Sequence, residues 1–249
     1  MNGFARLAVL TALVCGSAAA SPRQQPQSKP AVLPTAEQLI AKYVRAVGGR
    51  AAMEKVHSRV IKGTLDPGGG TLVALELNEK APDKSLSILE VSEEGAAKQG
   101  FDGKIGWQSA ADGVKEISGE MLAAVRRNSQ FYRWLRMKEL FEKLEVSGAA
   151  KVGERDTFVM KATPPDGNPE NFYFDAGTGL LLRRDYTVEA PEGLIKFETY
   201  YEDYRVVDGL KLAFTLRRIG PDGVVTLKYT EIRHNVELDD ALFSKPSQP

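Results

Sequence analysis

The sequence predicts a mainly β domain with a helical cover, an α+β architecture on one continuous antiparallel sheet, and two observations carry that prediction. From Asp166 onward, runs of six to twelve residues alternate apolar and polar and are cut by Asp166-Gly167, Asp208-Gly209, Asp222-Gly223 and Gly177-Thr178-Gly179. Asp-Gly accepts the positive φ that tight hairpin turns demand. The same dipeptide recurs upstream at Asp102-Gly103 and Asp112-Gly113, so the hairpin pattern spans most of the chain. The second observation is a single amphipathic helical segment between Gly119 and Leu144 that interrupts this pattern.

The elements follow in order. Thr35-Ala36-Glu37-Gln38 fits a capping box, with Thr35 as N-cap and Gln38 at the third helical position. Leu39, Ile40, Tyr43, Val44 and Val47 then share one helical face, and Gly48-Gly49 stops the helix. A short helical turn over Arg50 to Lys55 leads into strands at His57 to Leu65 and Thr71 to Glu79, joined by Asp66-Pro67-Gly68-Gly69-Gly70. These glycines open a strand rather than a helix, so they form a turn and not a phosphate cradle. Lys84 to Val91 and Ala97 to Gln108 continue the meander.

Gly119 to Leu144 is expected in two helical pieces divided near Asn128-Ser129. Phe131, Trp134, Met137, Phe141 and Leu144 form its apolar stripe, widened by Leu135 and Leu140, and this stripe must lie against the sheet. Arg126, Arg127, Arg133 and Arg136 give the segment a basic character, either as a solvated outer surface or as a contact for an anionic membrane or partner.

Beyond it, Leu210, Leu212, Phe214 and Leu216 alternate cleanly, as do Leu180, Leu182, Tyr186 and Val188 with Arg184 as an exception. Val225, Leu227 and Tyr229 have one parity and Ile232, His234 and Val236 the other, which places a β-bulge between Tyr229 and Ile232. Asp239 to Phe243 is a closing helical turn. The count is about ten or eleven strands, enough to make an open sheet curl.

Composition bounds the function. The chain has 249 residues, 43% hydrophobic and 27% charged, which suits one domain with one sizeable core. Lys plus Arg equals Asp plus Glu at 33 each, so no long-range field gathers phosphate backbones and nucleic acid is not an expected partner. Residues 1–20 read as a secretory signal peptide: Arg6, an apolar run from Leu7 to Val14, and Ala18-Ala19-Ala20 before Ser21. The run is shorter than the ~20 residues a membrane span needs, so export to the periplasm is expected. Cys15, the only cysteine, lies in that leader, where Val14 before it and Ala12 in the usual Leu place make lipidation the less favoured alternative. Residues 21–34, rich in Pro, Gln and Ser, are a flexible tether, and residues 35–246 are the folded domain.

Catalytic constellations are missing from the sequence. It has no Gly-x-Ser-x-Gly elbow and no cysteine beyond the leader, and its two histidines are His57, at a strand entrance, and His234, on an apolar strand face. No Cys or His pair has metal-ligand spacing, and the acidic loop Asp175 to Gly179 reads as a turn. The expectation is a non-enzymatic protein with no cofactor and no metal. An outer-membrane barrel would need an apolar outer wall, whereas Leu194 to Tyr204 carries Lys196, Glu198 and Glu202 on one parity and Asp203 on the other.

Four segments in order resemble the outer-membrane lipoprotein carrier and sorting (LolA-like) family: Lys80-Ala81-Pro82-Asp83-Lys84, then Phe101 to Trp107, then Phe172 to Leu180, then Leu242-Phe243-Ser244-Lys245-Pro246. The resemblance implies an incomplete antiparallel β-barrel of about eleven strands, covered by helices over an apolar cavity that shelters acyl chains without catalysis. Family carriers commonly hold an Arg beside the Pro of the first motif, tying lid to sheet; this chain has Ala81 there, next to Lys80.

The function that follows is a periplasmic carrier holding the acyl chains of a lipoprotein or lipid. Each buried methylene contributes about 0.8 kcal/mol. The alternative is a periplasmic regulatory or interaction module that binds a protein partner on the same scaffold; an enzyme would require His57 and His234 to converge with a carboxylate in a cleft. Candidate ligand-binding residues are Trp107, Phe131, Trp134, Met137, Phe174, Tyr186 and Phe214. The protein is expected to act as a monomer, touching a membrane or membrane protein transiently through Arg126, Arg127, Arg133 and Arg136.

Overall fold

The computed structural model describes residues 33–247 except 93–94 and 191–192, so the expected leader and nearly all of the tether lie outside the described residues. Two helices come first, α1 (Ala36–Ala46) and α2 (Arg50–Glu54). The capping box forms as the sequence requires: Thr35 Oγ1 accepts from Gln38 N at 3.2 Å, and Gln38 Oε1 accepts from Thr35 N at 2.8 Å. At its other end α1 stops at Gly48, whose φ of +122° suits glycine and where a Cβ would lie 2.3 Å from the carbonyl oxygen of Gly209.

Six strands follow: β1 (Ser58–Asp66), β2 (Val73–Lys80), β3 (Lys84–Ser92), β4 (Gly95–Phe101), β5 (Gly106–Ala110) and β6 (Gly113–Ile117). The helical segment then comprises α3 (Gly119–Asn128), a 3-10 turn (Arg133–Leu135) and α4 (Met137–Leu140). Seven strands complete the fold: β7 (Lys143–Val152), β8 (Arg155–Thr163), β9 (Glu170–Asp175), β10 (Leu181–Ala190), β11 (Gly193–Val207), β12 (Leu210–Gly220) and β13 (Gly223–His234). A last 3-10 turn spans Asp240–Phe243.

All thirteen strands form one antiparallel sheet in the order β6-β5-β4-β3-β2-β1-β13-β12-β11-β10-β9-β8-β7. Every neighbouring pair is a hairpin except β1 with β13, the first and last strands of the chain, which meet in the middle. The two free edges, β6 and β7, are consecutive in sequence, and the helical segment is what joins them. A single helical insertion therefore links the two free edges of the sheet.

The sequence reading is corrected in two places. The run Ala97 to Gln108 is two strands folded at Asp102-Gly103, where Asp102 Oδ1 accepts from Lys104 N and Ile105 N at 2.8 and 2.7 Å; with β6 this raises the count to thirteen. The helical segment ends at Leu140, and Leu144 belongs to β7. The expected bulge is present: Lys62 pairs with Glu231 and Gly63 with Tyr229, leaving Thr230 as the extra residue.

Register separates the two faces of the N-terminal strands. One row runs Arg59, Glu79, Ser85, Phe101, Gly106, Ile117 across β1 to β6 and faces the helices: Phe101 and Ile117 pack on Val125 and Leu122, and Ser85 Oγ lies 2.6 Å from Ser129 Oγ. The adjacent row, Val60, Asn78, Leu86, Gly100, Trp107, faces away. It is covered by the C-terminal segment, through Phe243 and Leu238.

Candidate functional site

The concave face differs from one half to the other. On the β7 to β10 side, Met160, Ala162, Phe172, Phe174 and Leu181 project toward Leu39 of α1 and toward Met137 and Phe141, with Tyr43, Trp134 and Tyr201 packed around them. The rings meet mostly edge to face: Trp134 is 5.4 Å from Phe172 and 5.7 Å from Phe174. Close contact of this kind leaves a filled core. The sequence expectation of a hollow beneath the stripe is therefore corrected, because Trp134, Met137 and Phe141 occupy that space themselves.

Several openings surround the core. A cavity of about 160 Å³ lies between α1, β1 and the segment after α3, with Tyr43, Arg59, Phe131, Trp134 and Leu212 in its wall. That is below the ~300–1,000 Å³ usual for ligand pockets. A groove of about 710 Å³ lies between α3 and β10, within that range. Met121, Ala124 and Val125 line one wall and Tyr186, Val188 and Ala190 the other; Gln99 and a polar cluster of Arg127, Asn128, Glu170 and Arg184 close it. Met121 and Val188 are 48% and 38% exposed, so large apolar side chains stay open to solvent on both walls.

The polar cluster explains why Arg184 breaks the alternation of its strand. Arg184 pairs across β9 and β10 with Phe172, so it points inward, where its Nε donates to Glu170 Oε2 at 2.7 Å. Burial works most strongly against the guanidinium charge, but Glu170 together with Tyr201 and Tyr186 outweighs it and the Arg184 pKa is raised. Arg127 donates to Asp166 Oδ1 at 2.7 Å and lies 3.9 Å from Glu170. Arg133 lies half-buried over Trp134 and Phe172, and its Nη1 donates to Asn128 Oδ1 at 3.2 Å. Burial and the like charge of Arg184 hold its pKa down to about 10.

The seven candidate residues thus separate. Trp134, Met137 and Phe174 are in the filled core. Phe131 borders the small cavity, and Phe214 packs with Ile61 and Ile232 at the middle of the sheet. Tyr186 alone lines the groove. Trp107 is on the opposite face, lying over Gly100, where a Cβ would come within 2.4 Å of the indole, and donating from Nε1 to the Phe243 carbonyl at 2.8 Å. The four arginines do not form one outward face either: Arg127 is 10% exposed and Arg133 is half-buried, while Arg126 is exposed and Arg136 pairs with Glu139 on the surface. Arg184 and Glu170 were missed as site residues. The break in alternation at Arg184 was the available signal.

The histidines have separate partners. His234 Nδ1 lies 3.0 Å from Asp208 Oδ2 with a side chain 1% exposed, and burial followed by the Arg59 charge lowers its pKa. His57 Nδ1 lies 3.1 Å from Tyr132 Oη. The lid is tied to the first motif without an arginine, through Phe131 N donating to the Pro82 carbonyl at 3.0 Å. Among the described residues no group of three potential metal ligands is present, and no helix is long and apolar enough to cross a membrane.

A 13-stranded open sheet whose edges are bridged by its one helical insertion agrees with solved structures. A LolA superfamily protein from Nitrosomonas europaea superposes with a TM-score of 0.58 over 86% of this chain and 99% of that one, at 12% identity. The fold is LolA-like. A domain from Vibrio parahaemolyticus, named for outer membrane lipoprotein sorting, superposes with a TM-score of 0.57 over 84% of this chain and 97% of that one, at 15% identity. No family model and no curated protein matches the chain.

The LolA-like frame accounts for the motifs that resembled the family. Lys80 and Lys84 both hold Asp240, at 2.7 and 2.8 Å, so the first motif grips the C-terminal turn that covers Trp107 of the second. In the third, Asp175 Oδ1 accepts from Thr178 N and Oγ1 at 2.5 and 2.7 Å, and the turn docks α1 as Lys42 Nζ donates to the Ala176 carbonyl at 2.6 Å. These motifs build the scaffold and leave the groove to other residues.

Proposed function

We propose that this chain is an exported, non-catalytic carrier of the LolA-like type that holds an acyl chain of a lipid or lipoprotein in the groove between α3 and β10. The observation that carries this reading is the groove itself: about 710 Å³, with Met121 and Val188 exposed on its α3 and β10 walls. Apolar surface left open to water on both sides of a cleft favours an apolar occupant, and each methylene buried there contributes about 0.8 kcal/mol. Structures of the same fold include one named for lipoprotein sorting, which supports the same class of cargo.

The test is recovery of cargo. Protein purified from the periplasm is expected to release acyl species on lipid extraction and to take up a fluorescent fatty acid, and Val188→Trp, which fills the groove, is expected to abolish uptake. Absence of both extracted lipid and uptake would remove the carrier reading. A second reading, a module binding a protein partner on this scaffold, is favoured by the tight packing of Trp134, Met137 and Phe141 against Phe172 and Phe174, which gives no room beneath the lid. It predicts that Val188→Trp leaves function intact.

A further inference from the structure

The end of the groove nearest the filled core is charged, and its charges do not balance. Arg127 and Arg184 line that end and pair with Glu170, which is buried, and Asp166, which is half exposed, while Arg133, behind Asn128 in the wall of the adjoining small cavity, pairs with neither, leaving one guanidinium in excess. The excess falls on Arg133. Its Nε and Nη2 are buried and have no hydrogen-bond partner, and its single bond is to an amide oxygen. A guanidinium whose one hydrogen bond goes to a neutral oxygen keeps part of its desolvation cost, which an anion in place of that oxygen would offset.

The place for such an anion is marked by Asn128. Its Oδ1 accepts from Arg133 Nη1 and from Arg184 Nη2, each at 3.2 Å, so a neutral oxygen sits between two guanidinium groups. Both bonds are longer than the 2.7–2.9 Å typical of a carboxylate with a guanidinium. Asn128 borders the groove and the small cavity alike, so an oxygen anion displacing its amide from the groove side reaches both arginines. Away from that end the groove is lined by the apolar side chains of Val125, Tyr186, Met121 and Val188, with Glu120 and Glu189 also in its lining.

We propose that this groove takes an acidic amphiphile, with its anionic headgroup seated between Arg184 and Arg133 in place of the Asn128 amide and its acyl tail along α3 and β10. This rests on the carrier reading and specifies its cargo. A neutral acyl chain gains only from the apolar walls, whereas a carboxylate or phosphate headgroup adds charge-assisted hydrogen bonds and neutralises the excess cation.

The test compares a fluorescent long-chain fatty acid with its methyl ester on the full chain. The acid is expected to bind at least about tenfold more tightly. Asn128→Asp, which supplies a resident carboxylate between the two arginines, is expected to reduce that preference to within about twofold, while ester binding persists. Asn128→Ala, which removes the bridging oxygen and keeps the cations, is expected to retain or strengthen it. Equal binding of acid and ester by the unaltered protein overturns the headgroup site and leaves the carrier standing. Binding of neither overturns both. Inorganic phosphate without a tail is expected not to displace the acid at equal concentration; displacement would assign the cluster to a free anion instead of an amphiphile.

Discussion

The two halves of the concave face are built from the same kinds of residue yet end in different states. Beside β7 to β10, α1 and α4 bring Leu39, Met137 and Phe141 down onto Phe172 and Phe174, and the space closes. Beside β10's far end, α3 stands off, sealing Phe101 and Ile117 on its other side while Met121 and Val188 remain exposed across a groove. An apolar inner face is thus a necessary condition for a binding site and not a sufficient one. Whether it holds ligand or core depends on which covering element reaches it.

The largest effect expected from this contrast is on stability. Phe172→Ala in the filled half should cost about 3–5 kcal/mol in denaturant unfolding, whereas Val188→Ala in the groove should stay within about 0.5 kcal/mol. A small loss at Phe172 would mean that the filled half is not a packed core. Next comes the lid contact: Ser85→Ala, which leaves Ser129 Oγ without its partner, should cost about 1 kcal/mol and raise the rate of acyl exchange measured by stopped-flow fluorescence. Unchanged exchange would separate α3 from gating.

The smallest expected effect is on pH dependence and arises outside both halves. Burial and Arg59 lower the His234 pKa below its ordinary 6.5, so the unfolded chain takes up this proton at a pH where the folded chain does not. Stability from this group is therefore fully present above about pH 6.5, falls as pH drops through 6.5 toward the folded value, and then levels. Urea midpoints followed from about pH 7.5 downward should show that fall, and His234→Gln should flatten it.

Much of the scaffold was legible in the sequence because it rests on local rules. The Thr35–Gln38 box, the Gly48 stop, the Asp208-Gly209 turn and the Thr230 bulge each follow from one or two residues whose backbone needs are specific. The site was less legible because facing is a property of the covered sheet. Trp107 has the residue type of a cavity wall, yet register puts it on the outer face over Gly100, where the C-terminal turn buries it. Trp134 and Met137 were placed against the sheet, as expected, but periodicity carries no information on how closely two faces meet. Arg184 showed as a flaw in alternation, and its meaning depends on Glu170, whose approach no linear pattern announces.

The proposed carrier holds its acyl chain in the groove between α3 and β10 and not in the space under the lid stripe. Photo-crosslinking with a diazirine-bearing fatty acid, mapped by peptide mass spectrometry, tests it most directly. Adducts are expected on Met121, Val125, Tyr186 and Val188 and are lost on Val188→Trp. Adducts on Trp134, Met137 or Phe172 would contradict it, because they would require the filled half to open and admit the chain.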